Sequence, residues 1–349
     1  MKTLSYIDAI YFYMENHSNS EKVFKILSID GGGIKGIYSA KILEQFEKKF
    51  NCHIVDYFDL ICGTSTGGLI ALALSIKTTA EEIVSFYYDK GKLIFPKINK
   101  VKGFLKQAGW GGKHDNKELS KALYEIFGNR KIGDSNCLLC IPSFSITDGR
   151  PYIFKYDHSE GNLSRDNQTK YVEIAIATSA APTYLPIVQI ESHENKQFID
   201  GGVYANDPTL IGIAEALEYF VGANKGFDRL MIMSVASLES PGGSPILEKK
   251  NLSILDWKTD LIQPFMLGQA HTTHYVVKTL AKNHNPPFEY IRIPSVHFSP
   301  EQSKLITLDN TEKKALDLMK GYGRDRGLLY EKMPEVAHFF ESQKQYIIR

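Results

Sequence analysis

Three short stretches hold residue types that acyl chemistry needs. In "GTSTG" (63–67) Ser65 stands between Gly63 and Gly67 in a G-x-S-x-G pattern. A serine at a sharp strand-to-helix turn lifts its hydroxyl above the end of a sheet, and flanking glycines remove side chains that would collide there. The helix that follows aims its positive end at the same point. In "DGGGIKG" (30–36) consecutive glycines let several backbone N–H groups face one space, which suits an oxyanion. In "QFIDGG" Asp200 ends a β-like run before Gly201 and Gly202. A carboxylate whose pKa is raised by burial can take a hydroxyl proton directly.

Each stretch also has a plain structural reading: a serine among glycines is a tight turn, and an Asp before glycines is a common turn residue. Gly31, Gly33 and Gly36 also match the G-x-G-x-x-G dinucleotide spacing. A dinucleotide loop expects an acidic residue at the end of the next strand. Asp56 and Asp59 fall near the start of that strand instead, and it ends at Ser65. A histidine base stays open, since His271 and His274 follow Asp200 in a Ser, Asp, His order. They lie in "GQAHTTHYVV", which reads as helix rather than turn.

Elements must bring these residues together. "VFKILSI" (23–29) reads as a buried strand ending at the glycine loop. Ile37, Ala40, Leu43, Phe46 and Phe50 recur at helical spacing. "YFDLICG" (57–63) is a second strand, and "LIALALSI" the helix after the elbow. From Gly33 to Ser65 is 65 − 33 = 32 positions, room for one crossover helix and one strand. Both loops are therefore expected at one carboxyl edge of a parallel sheet, where α/β folds bind ligands. Further strands are expected at "CLLCIPSFSIT", "RPYIFKY", "QFID", "RLMIMSVAS" and "PPFEYIRI", and helices at "DNKELSKALYEIFG", "YVEIAIATSAAP" and "TLIGIAEALEYF". After "SPGGSP" (240–245) the chain becomes more charged and reads as mostly helical.

The totals set bounds. The 349 residues allow one large α/β domain with an appendage, or two modest domains. A net charge of +1 gives no global pull toward nucleic acid. The 4 cysteines do not make a disulfide framework. Asp8 and Glu15 interrupt any signal-peptide core, and no apolar run approaches the roughly 20 residues that span a bilayer. A cytoplasmic protein is the expectation.

Together the three motifs, with "ATSAAPTYLP" at 177–186, resemble the patatin-like phospholipases over residues 23–240. The resemblance implies a three-layer α/β/α fold with a central, mostly parallel sheet, and marks residues 23–240 as a lipid acyl hydrolase domain. Outside it stand an N-terminal arm (1–22) and, from the change in composition, a mostly helical C-terminal extension (241–349) that is regulatory or packed on the catalytic domain. It implies Ser65 as nucleophile, Asp200 as base in a dyad without histidine, and the amides of Gly31, Gly32, Gly33, Ile34, Lys35 and Gly36 as the oxyanion hole. Neither metal nor other cofactor is expected. Phospholipid is the implied substrate, met by peripheral contact at the inner face of the membrane. Bacterial proteins of this kind include antiphage effectors switched on by cyclic dinucleotides, which adds such an activator, and an oligomer, to the expected partners; a nucleic acid polymer is not among them. The rival classes are an idle scaffold that binds lipid or nucleotide and a Ser-His-Asp esterase.

Other features carry less. Seven lysines between Lys90 and Lys113, interleaved with Phe95, Phe104 and Trp110, fit either a solvated loop or a flap that adsorbs to anionic lipid. Cys137 and Cys140 form C-x-x-C without a second pair, which reads as core packing. His271 and His274 lack a carboxylate pattern for a metal, and Arg324 and Arg326 in "GYGRDR" read as solvated rather than phosphate-binding.

Overall fold

The computed structural model describes residues 21–94, 116–182, 184–239, 262–285 and 287–348. Along β1 (Val23–Ile29), Phe24 and Ile26 face one side while Leu27 and Ile29 face the other, and all four are fully buried. A strand buried on both faces belongs at the centre of an α/β sheet. The other strands are β2 (Leu60–Gly63), β3 (Leu138–Ser145), β4 (Arg150–Lys155), β5 (Val188–Ile190), β6 (Lys196–Asp200), β7 (Arg229–Val235) and β8 (Glu289–Ile293). Their order is β5-β6-β3-β2-β1-β7-β8, with β4 paired to β3. The run from β3 through β2, β1 and β7 to β8 is parallel, whereas the pairs made by β4 and β6 are antiparallel.

Helices cover both faces. On the Leu27 side lie α1 (Gly36–Phe50), α2 (Thr66–Ser75), α3 (Ala80–Ile94), α4 (Asn116–Phe127), α5 (Tyr171–Ser179) and α8 (Lys313–Tyr330). On the Phe24 side lie α6 (Thr209–Tyr219) and α7 (Ile262–Asn283). This is the expected three-layer α/β/α architecture. The strand at 23–29 has the bounds read from its sequence. The second strand is shorter, because residues 54–56 form a turn before it. The three-residue β5 has too few side chains to show alternation and was not anticipated.

The chain beyond 262 is woven into this architecture. "EYIRI" extends the sheet beside β7, and α8 packs along α1. At the opposite end of the sheet from the glycine loop, the buried Asp59 carboxylate accepts N–H bonds from Lys25 (2.8 Å), Gln345 (2.9 Å) and Tyr346 (2.7 Å). The buried Lys25 ammonium caps the Phe339 carbonyl at 2.9 Å. The last residues are thus strapped across the roots of β1 and β2. Most of the lysine-rich stretch and residues 1–20 of the N-terminal arm lie outside the described residues. Among the described residues, no helix is long and apolar enough to cross a membrane.

Candidate active site

β1 and β2 are parallel neighbours, so the loops that leave them emerge at one edge. Ser65 stands at the turn between β2 and α2 with φ 54 and ψ −123, a positive-φ conformation that non-glycine residues rarely adopt. The turn closes so tightly that a Cβ on Gly67 would lie 2.2 Å from the Ile29 carbonyl oxygen. Four bonds hold the strained serine in place. Its amide donates to Thr178 Oγ1 at 3.0 Å, and the Thr178 hydroxyl donates to the Pro142 carbonyl at 2.6 Å. Thr64, just before it, donates to the Ala205 carbonyl at 2.6 Å, and Thr66, just after it, donates to the Gly33 carbonyl at 2.6 Å. The two threonines of "GTSTG" therefore fasten the elbow to the segment after Asp200 on one side and to the glycine loop on the other. The motif alone gives these positions no role, because their partners are remote in sequence.

Asp200 ends β6, which pairs antiparallel with β3 and so delivers the carboxylate to the edge where Ser65 stands. It is buried, and burial pushes its carboxyl up to about 7. The Gly202 N–H, 2.7 Å away, and the Ser65 hydroxyl pull in the other direction as hydrogen-bond partners. Ser65, Asp200 and Gly33 line one cavity of about 60 Å³, walled by Leu69, Tyr87, Leu119, Leu185, Met266 and Leu308. Its walls are mostly apolar. Ser179, also in the lining, has a buried hydroxyl with no partner among the described residues.

The glycine loop divides into used and unused donors. The Gly31 amide is bonded to the Asn206 carbonyl at 2.9 Å, that of Ile34 to Leu308 at 2.9 Å, and that of Lys35 to Gly32 at 3.2 Å. The Gly36 amide turns back to the Gly33 and Ile34 carbonyls. Of the six amides named from sequence, those of Gly32 and Gly33 donate to no described atom. The narrower set has two causes: the short 3-10 turn at 33–35 consumes the Lys35 and Gly36 donors internally, and remote carbonyls take those of Gly31 and Ile34. Gly33 has φ +58, and a Cβ there would meet the Leu308 carbonyl oxygen at 2.4 Å. Leu308 comes from the C-terminal part of the chain, and nothing local to the motif points to it.

Behind the loop lies a second cavity of mixed lining, where Lys35, Asn206 and Ser237 face Leu238, Leu267 and Leu308. Burial lowers the Lys35 ammonium to about 8, with Glu239 opposing. His271 and His274 line a different cavity, beside Arg292, bonded to Glu239 (3.1 Å) and Tyr290 (2.9 Å). Among the described residues no histidine lines the cavity of Ser65. Cys137 and Cys140 are buried free thiols at β3. Arg324 pairs with Asp325, and both lie on α8 rather than in a loop.

Comparison with known proteins gives the family of the chain. The model of the patatin-like phospholipase family matches residues 27–213, more than half of the chain. The chain belongs to the patatin-like phospholipase family, whose members are lipid ester hydrolases. It is 28% identical over 306 residues to a cGAMP-activated phospholipase of Pseudomonas aeruginosa, covering 86% of each chain. It is 30% identical over 310 residues to patatin-like protein 2 of Arabidopsis thaliana, covering 77% of this chain and 74% of that one. A solved human GIVD cytosolic phospholipase A2 aligns with a TM-score of 0.45 at 11% identity, over 91% of this chain and 60% of the other.

Proposed function

We propose that this protein hydrolyses fatty acyl esters of membrane phospholipids with Ser65 as nucleophile and Asp200 as its base. The observation that carries the reading is a strained serine and a buried carboxylate in one apolar cavity, beside a loop with two uncommitted amides. Asp200 takes the Ser65 proton as Oγ attacks the acyl carbonyl carbon. The carbonyl π electrons move to oxygen, and the Gly32 and Gly33 N–H groups stabilise the resulting anion. Collapse breaks the bond to the lysolipid oxygen, which leaves with the proton held by Asp200. Water, deprotonated by the same carboxylate, then releases the fatty acid and restores Ser65. The apolar walls receive the acyl chain.

A cyclic dinucleotide activator is the second part of the reading. It is supported by likeness over most of the chain to phospholipases named for activation by cGAMP. One assay tests both parts: fatty acid release from fluorogenic phospholipid vesicles, with and without a panel of cyclic dinucleotides. Release that disappears in Ser65→Ala and in Asp200→Ala supports the dyad, and full release by either variant overturns it. Turnover that is the same with and without every nucleotide removes the activator.

A further inference from the structure

Arg292, on β8, reaches the active-site edge from the far end of the chain. Its guanidinium is almost wholly buried. One nitrogen meets Asp30 Oδ2 at 2.6 Å, and the other meets Asp207 Oδ2 at 2.8 Å, Ser234 Oγ at 2.6 Å and, more loosely, Asp30 Oδ1 at 3.3 Å. Asp30 is the first residue of the glycine loop, and Asp207 closes the short segment that begins at Asp200. The next contact between the same two segments is the Gly31 amide on the Asn206 carbonyl, 2.9 Å. One residue further stands the uncommitted Gly32 amide. The contacts form a ladder whose bottom rung is Arg292 and whose top faces Ser65. An ideal Cβ on Gly31 would lie 2.6 Å from Asn206 Oδ1 and 3.4 Å from Ser65 Cβ, which shows how close the top rung is to the nucleophile.

We infer that Arg292 is a positioning residue for hydrolysis: it sets the register between the glycine-loop amides and the Asp200 segment by spanning Asp30 and Asp207. The inference rests on the functional reading above. The two carboxylates repel each other, and a planar guanidinium can face both at once with separate nitrogens, which a single ammonium cannot. A partner of hydrogen-bonding geometry alone would explain stability. The placement of both carboxylates at the roots of the two catalytic segments adds control over the distance between oxyanion donors and base.

The test compares Arg292→Lys and Asp30→Asn with the native protein on phospholipid vesicles. Rates are normalised to the fraction of Ser65 that a fluorophosphonate probe labels at completion, so misfolded protein does not count. Displacements of about 1 Å near a reacting centre cost about 10²-fold, so kcat per labelled site should fall by about that factor while KM stays within about threefold. The double variant should be no slower than Arg292→Lys, since both changes break one linkage. Native kcat per labelled site in Arg292→Lys, with only the melting temperature lowered, would overturn the inference and leave a structural ion pair. If Arg292→Lys does not fold, Asp30→Asn decides by the same criterion. Native protein that neither hydrolyses lipid nor labels at Ser65 would overturn the functional reading, and this inference with it.

Discussion

The Thr64 hydroxyl donates to the Ala205 carbonyl at 2.6 Å, tying the residue before Ser65 to the chain just after Asp200. Both groups are buried, so water cannot replace the bond. Thr64→Val keeps the shape and removes the donor, leaving a buried carbonyl unpaired at a cost of about 1–3 kcal/mol. Urea unfolding should report that loss. Hydrolysis per folded molecule should also fall, because the segments that carry Ser65 and the proposed base Asp200 lose a tie between them. Thr64→Ser should restore both, and full activity in Thr64→Val would show that the link is dispensable.

The backbone at Ser65, with φ 54, stores strain that an alanine there keeps and a glycine relieves. Ser65→Ala and Ser65→Gly should both be inactive. The glycine variant should nevertheless be the more stable of the two by about 1 kcal/mol, despite the extra freedom glycine gives the unfolded chain. Chemical denaturation of the pair checks this, and equal stability would mean the turn relaxes when the hydroxyl is gone.

Asp200 must lose its proton to act as base. Its carboxyl is raised to about 7 by burial, so kcat/KM should climb as pH rises through that value and then level off. A profile already flat at about pH 5 would remove Asp200 from that role.

The same shift has a stability consequence of opposite sign. In the unfolded chain the group returns to its ordinary 3.8, whereas the folded protein holds the proton up to about 7. Its stabilising contribution is complete below the lower value and is lost as pH rises through the upper one. Asp200→Asn cannot ionise. It should therefore gain on the native protein between about pH 4 and pH 7, by on the order of 1–4 kcal/mol at the top of that window. Thermal melts across pH, set beside abolished hydrolysis, would show both effects.

Far from the site, Asp59→Asn keeps one accepting oxygen but turns an NH2 group toward at least one of the three backbone donors that now share a carboxylate. The expected loss is about 2–4 kcal/mol of stability, with unchanged turnover per folded molecule. A change in KM would mean that the strap communicates with the opposite edge.

What could be read from sequence follows from how local each signal is. The short β-rich apolar run "VFKILSI" and the spacing of Ile37 to Phe50 made strand and helix legible because a few neighbouring side chains carry the pattern. The placement of Ser65 and Asp200 at turns was legible because glycines mark turns that sheets need at their edges, and the fold brings both to one cavity. Choosing among the six amides was not, since Gly31 and Ile34 are consumed by carbonyls of Asn206 and Leu308, which no local pattern announces. Thr64, Thr66 and Thr178 escaped for the same reason: a threonine's value lies in the remote carbonyl it finds. The division at about residue 240 was read from composition. Composition cannot reveal that "EYIRI" adds a strand to a sheet begun at Val23.

Arg292 and Asp30 stand 262 positions apart in the chain yet share one ion pair. A chain growing from its amino end makes its glycine loop and its serine long before the arginine that braces them. Until β8 has left the ribosome, Asp30 and Asp207 are carboxylates without a counter-ion, and the sheet lacks its outermost parallel strand. If Arg292 positions the site as inferred above, a nascent chain in that state hydrolyses poorly, and synthesis order delays activity until β8 has emerged.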